Sequence, residues 1–186
     1  MRHLRAFYLS LALIALLACT SSAFTDATLI DNCNRTEDPL SNSGQWPGKV
    51  LNGDVNTLNA NGTICSRSAL GGAGVGSSYW TGATYTDTAV SATVPDATSS
   101  GDNHIQLWVR VANPGVSGQV DGYLCEFHPN GTTFVNLFRY DNSVISAALA
   151  TTPSSAFDVN DGHKIGCEMI GSTLKAYVDV GSGWVE

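Results

Sequence analysis

Two glutamates that each follow a cysteine are the residues of this sequence best suited to acid–base chemistry. The chain has four glutamates, of which Glu126 and Glu168 come directly after Cys125 and Cys167. If the two cysteines meet across adjacent strands, the glutamates lie diagonally opposite each other, about 7–8 Å apart. Two carboxylates flanking one bond can hydrolyse a glycoside, and His128 could assist as a general base. The alternative is two solvated carboxylates on an exposed sheet face.

A second group of residues could hold a ligand without catalysis. In the segment 105–111, apolar side chains alternate with Gln106, Trp108 and Arg110. A large aromatic ring on the polar side of a strand is suited to stacking on the C–H surface of a sugar. We therefore predict a glycan-contact face of Gln106, Trp108 and Arg110, joined by Tyr177. Packing of Trp108 beneath a loop is the alternative.

Metal ligands are not evident in the sequence. No Cys-x-x-Cys or Cys/His spacing typical of zinc occurs, and two further histidines, His104 and His163, fall in predicted loops or turns. Asp158, Asn160 and Asp161 offer oxygens to calcium in one loop, but their spacing is not that of an EF-hand. An Asx-type turn explains these three residues equally well. We expect neither a metal site nor a cofactor.

The elements that must position these residues are short strands. Apolar and polar residues alternate with a period of two, and turn signals such as Asn113-Pro114-Gly115 separate the runs. The predicted strands are 28–33, 50–58, 62–68, 85–94, 105–111, 122–128, 133–140, 143–150, 164–170 and 174–180. We predict one all-β domain over residues 24–186, an antiparallel two-sheet sandwich. Because the chain stops inside a new strand, we expect the domain to lack its last one or two strands, with a short closing edge strand as the alternative.

The first 23 residues have the features of an export signal. Arg2 and Arg5 precede an apolar stretch, 9–18, that is too short to span a bilayer, and small residues follow at 21–23. Cleavage there starts the mature chain at Phe24. Residues 16–19, Leu-Leu-Ala-Cys, also resemble a lipobox, in which Cys19 becomes the lipid-anchored first residue. We predict a secreted or surface-anchored protein, with both forms left open.

The remaining cysteines and the charge agree with export. Without Cys19 there are four, an even number that favours two disulfides in an exported chain. Three connectivities are open, of which we favour Cys33–Cys65 with Cys125–Cys167; buried free thiols are the alternative. The net charge is −7, and loss of the two leader arginines makes it more negative. Such a surface argues against nucleic acid and anionic membranes as partners.

A series of short motifs runs along the chain in a familiar order. The motifs are Ile30-Asp31-Asn32-Cys33-Asn34-Arg35-Thr36, Tyr79-Trp80, Leu107-Trp108-Val109-Arg110, Gly122-Tyr123, Leu137-Phe138-Arg139 and the hairpin 171–179. Together they resemble laminin G-like bacterial and phage domains of the concanavalin A-like lectin/glucanase superfamily. Cys33 stands where that family usually has Phe, and the Glu-x-Asp-x-x-Glu pattern of its glucanases does not occur.

The resemblance implies a jelly roll, often with a concave face for glycans. Many members of the superfamily only bind or assemble, so fold alone does not imply catalysis. We therefore expect a non-catalytic, lectin-like carbohydrate-binding module. The alternatives are a glycan-degrading enzyme that uses Glu126 and Glu168, and a structural or adhesive surface module without a small ligand.

Overall fold

A computed structural model of the chain describes residues 24, 32, 34–37, 40, 43–51, 58–61, 65–67, 77–81, 86–94, 104–128, 135–152, 159 and 162–186. Every regular element within these ranges is a β-strand, and no helix occurs among them. The described part of the chain thus contains no helical segment with the length and apolar character needed to cross a membrane. The prediction of an all-β chain is confirmed for these residues.

Twelve strands are described in chain order. They are β1 (Thr36–Glu37), β2 (Leu58–Asn61), β3 (Cys65–Arg67), β4 (Thr88–Thr93), β5 (Ile105–Ala112), β6 (Asp121–Phe127), β7 (Val135–Asp141), β8 (Val144–Ile145), β9 (Ala150–Thr152), β10 (Lys164–Ile170), β11 (Thr173–Asp179) and β12 (Trp184–Val185). The predicted strand 143–150 is wrong as a continuous element, because β8 and β9 pair with opposite ends of β7 and the residues between them turn.

The strands form three antiparallel sheets. The five-strand sheet has the order β5-β6-β7-β8, with β9 also paired to β7, and the four-strand sheet has the order β12-β11-β10-β4. A small sheet of β1, β2 and β3 accompanies them. Pairing of consecutive strands through short turns, as in β10 and β11 across Gly171, accounts for most of the neighbours.

The five-strand and four-strand sheets face each other, and their facing side chains form the core. Alternation along each strand places one apolar set inward, as the sequence predicted for β5, β6 and β10. The buried inward residues are Val94, Leu107, Val109, Cys125, Phe127, Val135, Ile165, Cys167, Met169 and Val178, with Val159 beside them. The architecture is therefore β-sandwich-like.

A disulfide joins the two large sheets through the middle of this core. Cys125 on β6 bonds Cys167 on β10, and both residues are fully buried. This confirms the predicted Cys125–Cys167 pair. The second predicted pair, Cys33–Cys65, lies outside the described side chains, as do the export signal, the lipobox and the loop of Asp158, Asn160 and Asp161.

One irregularity in the five-strand sheet alters the predicted site. The register between β5 and β6 shifts between Val109 and Ala112, and Arg110 has a φ of 51°. A bulge of this kind inserts an extra residue and re-aims the side chains around it. The predicted alternation of Gln106, Trp108 and Arg110 on one face therefore holds for the first two residues and fails at Arg110.

Candidate functional site

Glu126 lies at the centre of a polar cluster on the outer face of the five-strand sheet. Its neighbour Cys125 points into the core, so alternation turns the Glu126 carboxylate to the opposite face. The residue is nevertheless only 8% exposed. A buried carboxylate needs hydrogen-bonding partners to offset its lost hydration, and the neighbouring strands supply them.

A row of polar side chains crosses four strands at the level of Glu126. Gln106 on β5 and Asn136 on β7 are its register partners, and Thr151 on β9 is the partner of Asn136. Gln106 Nε2 donates to Glu126 Oε2 at 2.8 Å, and Asn136 Nδ2 lies 3.4 Å from Glu126 Oε1. Thr151 Oγ1 donates to Asn136 Oδ1 at 2.8 Å, which orients that amide. We call these four residues the polar row.

Two histidines approach the same carboxylate from the end of the sheet. His128 Nε2 lies 2.8 Å from Glu126 Oε1, and His104 Nδ1 lies 3.3 Å from Glu126 Oε2. The two rings are close to each other, with centroids 3.7 Å apart. His128 is 7% exposed, whereas His104 reaches the surface. Ile105 pairs with Phe127, and the two histidines lie just beyond that pair. They are therefore two positions along the chain from Gln106 and Glu126 and project from the same face.

These contacts keep Glu126 ionised. Burial is the largest single influence and by itself raises the pKa of the carboxyl. The hydrogen bonds from His128 and Gln106, the charge of His104 and the amide of Asn136 act in the other direction. Together they outweigh burial and hold the pKa below its ordinary value of 4.5. Glu126 is therefore a stable carboxylate and is itself poorly suited to supply a proton near neutral pH.

An aromatic pair lies beside the polar row on the same face. Trp108, one alternation along β5 from Gln106, packs against Tyr140 of β7 with ring centroids 4.6 Å apart. Both rings are partly exposed, and Leu124, which pairs with Trp108 on β6, is fully buried. The predicted outward placement of Trp108 next to Gln106 is thus seen in the structure.

Arg110, predicted to share this face, instead ties the two large sheets together. Its guanidinium donates to the Thr86 carbonyl oxygen, to the Gly171 carbonyl oxygen at 2.6 Å and to the Asp87 carboxylate at 2.8 Å. Asp87 also accepts the Gly171 amide at 2.9 Å. The bulge in β5 turns Arg110 toward these turns of the four-strand sheet, so its predicted place on the glycan-contact face is wrong.

Tyr177 and Glu168 lie together, but on the other side of the molecule. Both are on the outer face of the four-strand sheet, where the Tyr177 hydroxyl donates to Glu168 Oε2 at 2.9 Å. Phe24 packs against Tyr177, with its ring centroid 4.7 Å from that of Tyr177 and 4.5 Å from that of Trp184. Burial, together with the Glu168 hydrogen bond and charge, raises the pKa of Tyr177. Tyr177 is only 3% exposed, so it forms part of the packing there.

The structure does not bring Glu126 and Glu168 together. Their strands, β6 and β10, belong to different sheets, and the Cys125–Cys167 bond runs between those sheets. Each glutamate points away from its cysteine, so the two carboxylates lie on opposite outer faces of sheets about 10 Å apart. Glycosidase carboxylates lie about 5–5.5 Å apart in retaining enzymes and about 6.5–9.5 Å apart in inverting ones. The two cannot flank one glycosidic bond.

A separate cleft of about 370 Å³ opens beside Tyr79. It is lined by Pro47, Gly48, Lys49, Tyr79, Pro114, Gly115 and Val116. The turn after β5 meets the 47–51 segment there through a hydrogen bond from the Gly115 amide to the Val50 carbonyl oxygen at 2.7 Å. Trp46 and Trp80 pack edge to face next to this segment, with centroids 5.3 Å apart. The cleft is a concave surface that could contact a ligand, and it is separate from the outer face of the five-strand sheet.

The sequence does not single out four residues of the cluster and its surroundings, namely His104, Asn136, Tyr140 and Thr151. His104 was assigned to a loop, and Asn136 and Tyr140 were seen only as parts of an apolar strand. A signal for His104 was present, because His104-x-Gln106 and Glu126-x-His128 are matching alternations on strands that a turn brings into register. The partners of Asn136 and Tyr140 depend on the β6–β7 register, which the loop between those strands does not reveal.

Comparisons with protein-family models, with curated proteins and with solved structures find no match to this chain. The resemblance to the concanavalin A-like superfamily therefore remains a prediction from short motifs.

Proposed function

We propose that this protein is an exported, non-catalytic carbohydrate-binding module whose contact site is the outer face of the five-strand sheet. The observation that carries the proposal is the Trp108–Tyr140 aromatic pair, in which Trp108 lies one alternation from Gln106 along β5 and Tyr140 lies two alternations from Asn136 along β7. Its contact residues are Gln106, Trp108, Asn136 and Tyr140, which are all partly exposed. The finer assignment to a jelly roll of the lectin type belongs to the same proposal.

The chemistry of this face suits a sugar better than an apolar ligand. Aromatic rings provide flat surfaces for sugar C–H groups, and Trp and Tyr also carry polar atoms at their edges. The amides of Gln106 and Asn136 can each donate and accept hydrogen bonds, which matches the dual character of sugar hydroxyls. Both amides are already oriented by Glu126 and Thr151, so binding costs little additional side-chain ordering.

A binding role fits the cluster better than a hydrolytic one. Glu126 has no second carboxylate beside it among the described residues that could complete a glycosidase pair, since Glu168 lies on the opposite face. Its lowered pKa also suits an acceptor of hydrogen bonds rather than a general acid. The carboxylate is best placed to orient Gln106 and Asn136, and through them the ligand.

A glycan array probed with the parent chain and two variants tests the proposal. We expect the parent to bind a defined subset of glycans, Trp108→Ala to lose that binding, and Tyr79→Ala in the separate cleft to retain it. Loss in Tyr79→Ala alone would move the site to the cleft and overturn the proposed face. A folded parent that binds no glycan would instead favour a structural or adhesive surface module.

A further inference from the structure

Glu126 and the two histidines that approach it place three potential metal ligands close together, and the glycan-binding proposal gives the histidines no role. One ligand atom from each of His104, Glu126 and His128 falls within 4.8 Å of the other two. Two of the three residues are buried, which distinguishes the group from a chance surface cluster. Imidazole nitrogen and carboxylate oxygen are the donors that borderline divalent transition metals prefer.

We propose that His104, Glu126 and His128 form a binding site for a single divalent transition-metal ion of the Zn²⁺ type. Three protein ligands leave a fourth coordination position for water or an exogenous group. The proposal is independent of glycan binding and concerns a different property of the same sheet face.

Two histidine-to-carboxylate distances, each to a different oxygen of Glu126, lie close to the donor separation that such a site requires. In a tetrahedral site with metal–ligand bonds of about 2.0–2.1 Å, any two ligand atoms lie about 3.3–3.4 Å apart. His104 Nδ1 and Glu126 Oε2 are 3.3 Å apart. His128 Nε2 and Glu126 Oε1 are 2.8 Å apart, a hydrogen-bond distance that must open by about half an ångström when a metal takes the place of the proton.

The carboxylate is supported in the manner of a metal ligand. Metal ligands are commonly held by a further layer of hydrogen bonds, which fixes their orientation before the ion arrives. Gln106 and Asn136 each contact one Glu126 oxygen, and Thr151 in turn holds Asn136. Each carboxylate oxygen can accept more than one interaction, so these bonds and a metal are compatible.

Access and local rigidity also favour an ion at this position. His104 is exposed, so an ion can enter from solvent without any rearrangement of the core. The other two ligands are on β6 and at its end, the central strand between β5 and β7. Two of the three ligands are thus held by the sheet, and the third, His104, faces solvent.

Calorimetric titration of Zn²⁺ into the untagged, chelator-treated full mature chain tests the proposal, with Co²⁺ absorption as a second readout. We expect a single ion per chain, release of protons on binding, and a visible Co²⁺ spectrum typical of nitrogen and oxygen ligands in low coordination. His104→Ala should weaken Zn²⁺ binding by more than about 100-fold, and Asn136→Ala by about 10–100-fold through loss of support.

His163→Ala is the matched control, because its side chain is outside the cluster and the residue contacts Val94 through its backbone carbonyl. It should bind Zn²⁺ like the parent. Equal weakening in His104→Ala and His163→Ala would identify scattered surface binding and overturn the proposal. So would absence of binding at millimolar Zn²⁺ in a parent chain whose circular dichroism shows the folded β-protein.

Discussion

At the scale of single residues, the molecule stabilises one buried carboxylate by surrounding it with donors. Glu126 is 8% exposed, a degree of burial that would ordinarily favour the neutral acid. Four side chains, from Gln106, Asn136, His104 and His128, reverse that preference. The result is a fixed negative charge on a sheet face, which is useful for orienting amides or holding a cation and has little use as a proton source.

The lowered pKa of Glu126 predicts an acid-dependent loss of stability. The unfolded chain binds a proton at this group at higher pH than the folded chain does, so stability rises with pH through this range. The contribution is present above the ordinary value of 4.5 and is lost as pH falls through the lower, folded-state pKa. Urea unfolding of the parent and of Glu126→Gln should be compared at pH values from 4.5 downward. The free energy of unfolding should fall more steeply with decreasing pH in the parent than in the variant. Parallel curves would contradict the account.

Much of the residue-level pattern was predictable, and its limits have a clear cause. Alternation correctly placed Cys125 inward and Glu126 outward, because side-chain direction in a strand depends only on position along it. The pairing of Glu126 with Glu168 was not predictable in the same way. Alternation defines faces but not neighbouring strands, so it could not show that the cysteines join two sheets rather than two adjacent strands.

At the scale of elements, one irregular residue, Arg110, sets the direction of the side chains of β5 beyond Trp108. The strand follows the predicted alternation up to Val109 and then bulges at Arg110, whose φ is positive. No glycine or proline marks the spot in the segment 105–112, so sequence patterns give no warning of the bulge. Because of the bulge, the Arg110 guanidinium does not lie on the outer face. It lies where β5 meets the residues before β4 and the β10–β11 turn, and we call this contact the Arg110 junction.

Removal of the Arg110 side chain should lower the free energy of unfolding and leave the proposed glycan contacts intact. Arg110→Ala loses hydrogen bonds to two carbonyl oxygens and a carboxylate, and we expect a loss of about 1–2 kcal/mol in the free energy of unfolding. The value lies toward the lower end of that range because the side chain remains 27% exposed.

Arg139→Ala is the matched control on the neighbouring part of the sheet. Arg139 pairs with Asp141 on the surface, where both side chains are about half exposed, and its loss should leave the free energy of unfolding close to that of the parent. Chemical denaturation distinguishes the two variants. Equal stability of Arg110→Ala and Arg139→Ala would mean that the junction has no structural role.

At the scale of the whole molecule, two sheets and one covalent bond between them organise the described part of the chain. The core between the sheets is made of modest-sized side chains, with Phe127 the largest that is fully buried. The Cys125–Cys167 bond crosses this core and links residues 42 positions apart. A cross-link over a long loop stabilises a domain chiefly by restricting its unfolded chain.

Loss of that bond should therefore be costly. For a closed loop of this length the chain-entropy relation gives about 4 kcal/mol, so Cys125→Ala with Cys167→Ala should unfold at a much lower urea concentration than the parent. The double variant is preferable to a reductant, which would also open any Cys33–Cys65 bond. An unchanged unfolding midpoint would show that the two sheets are held without the covalent link.

The overall class was the most predictable property, and the surface that we propose to bind glycans was the least. Short alternating segments with frequent turns favour an all-β sandwich whatever its ligand, because the core requires only that one face of each strand be apolar. The contact face depends on register across four strands, which places Gln106, Glu126, Asn136 and Thr151 in one row. Register is a property of the assembled sheet and is not encoded in any one segment.

The central claim, that the outer face of the five-strand sheet binds glycans through Trp108, has a direct test. Calorimetry with the strongest glycan from an array compares the parent, Trp108→Ala and Trp80→Ala, in which the tryptophan beside the separate cleft is removed. We predict that Trp108→Ala weakens binding about tenfold or more, equivalent to about 1.4 kcal/mol, and that Trp80→Ala binds like the parent. Unchanged affinity in folded Trp108→Ala, or loss of affinity confined to Trp80→Ala, would contradict the account.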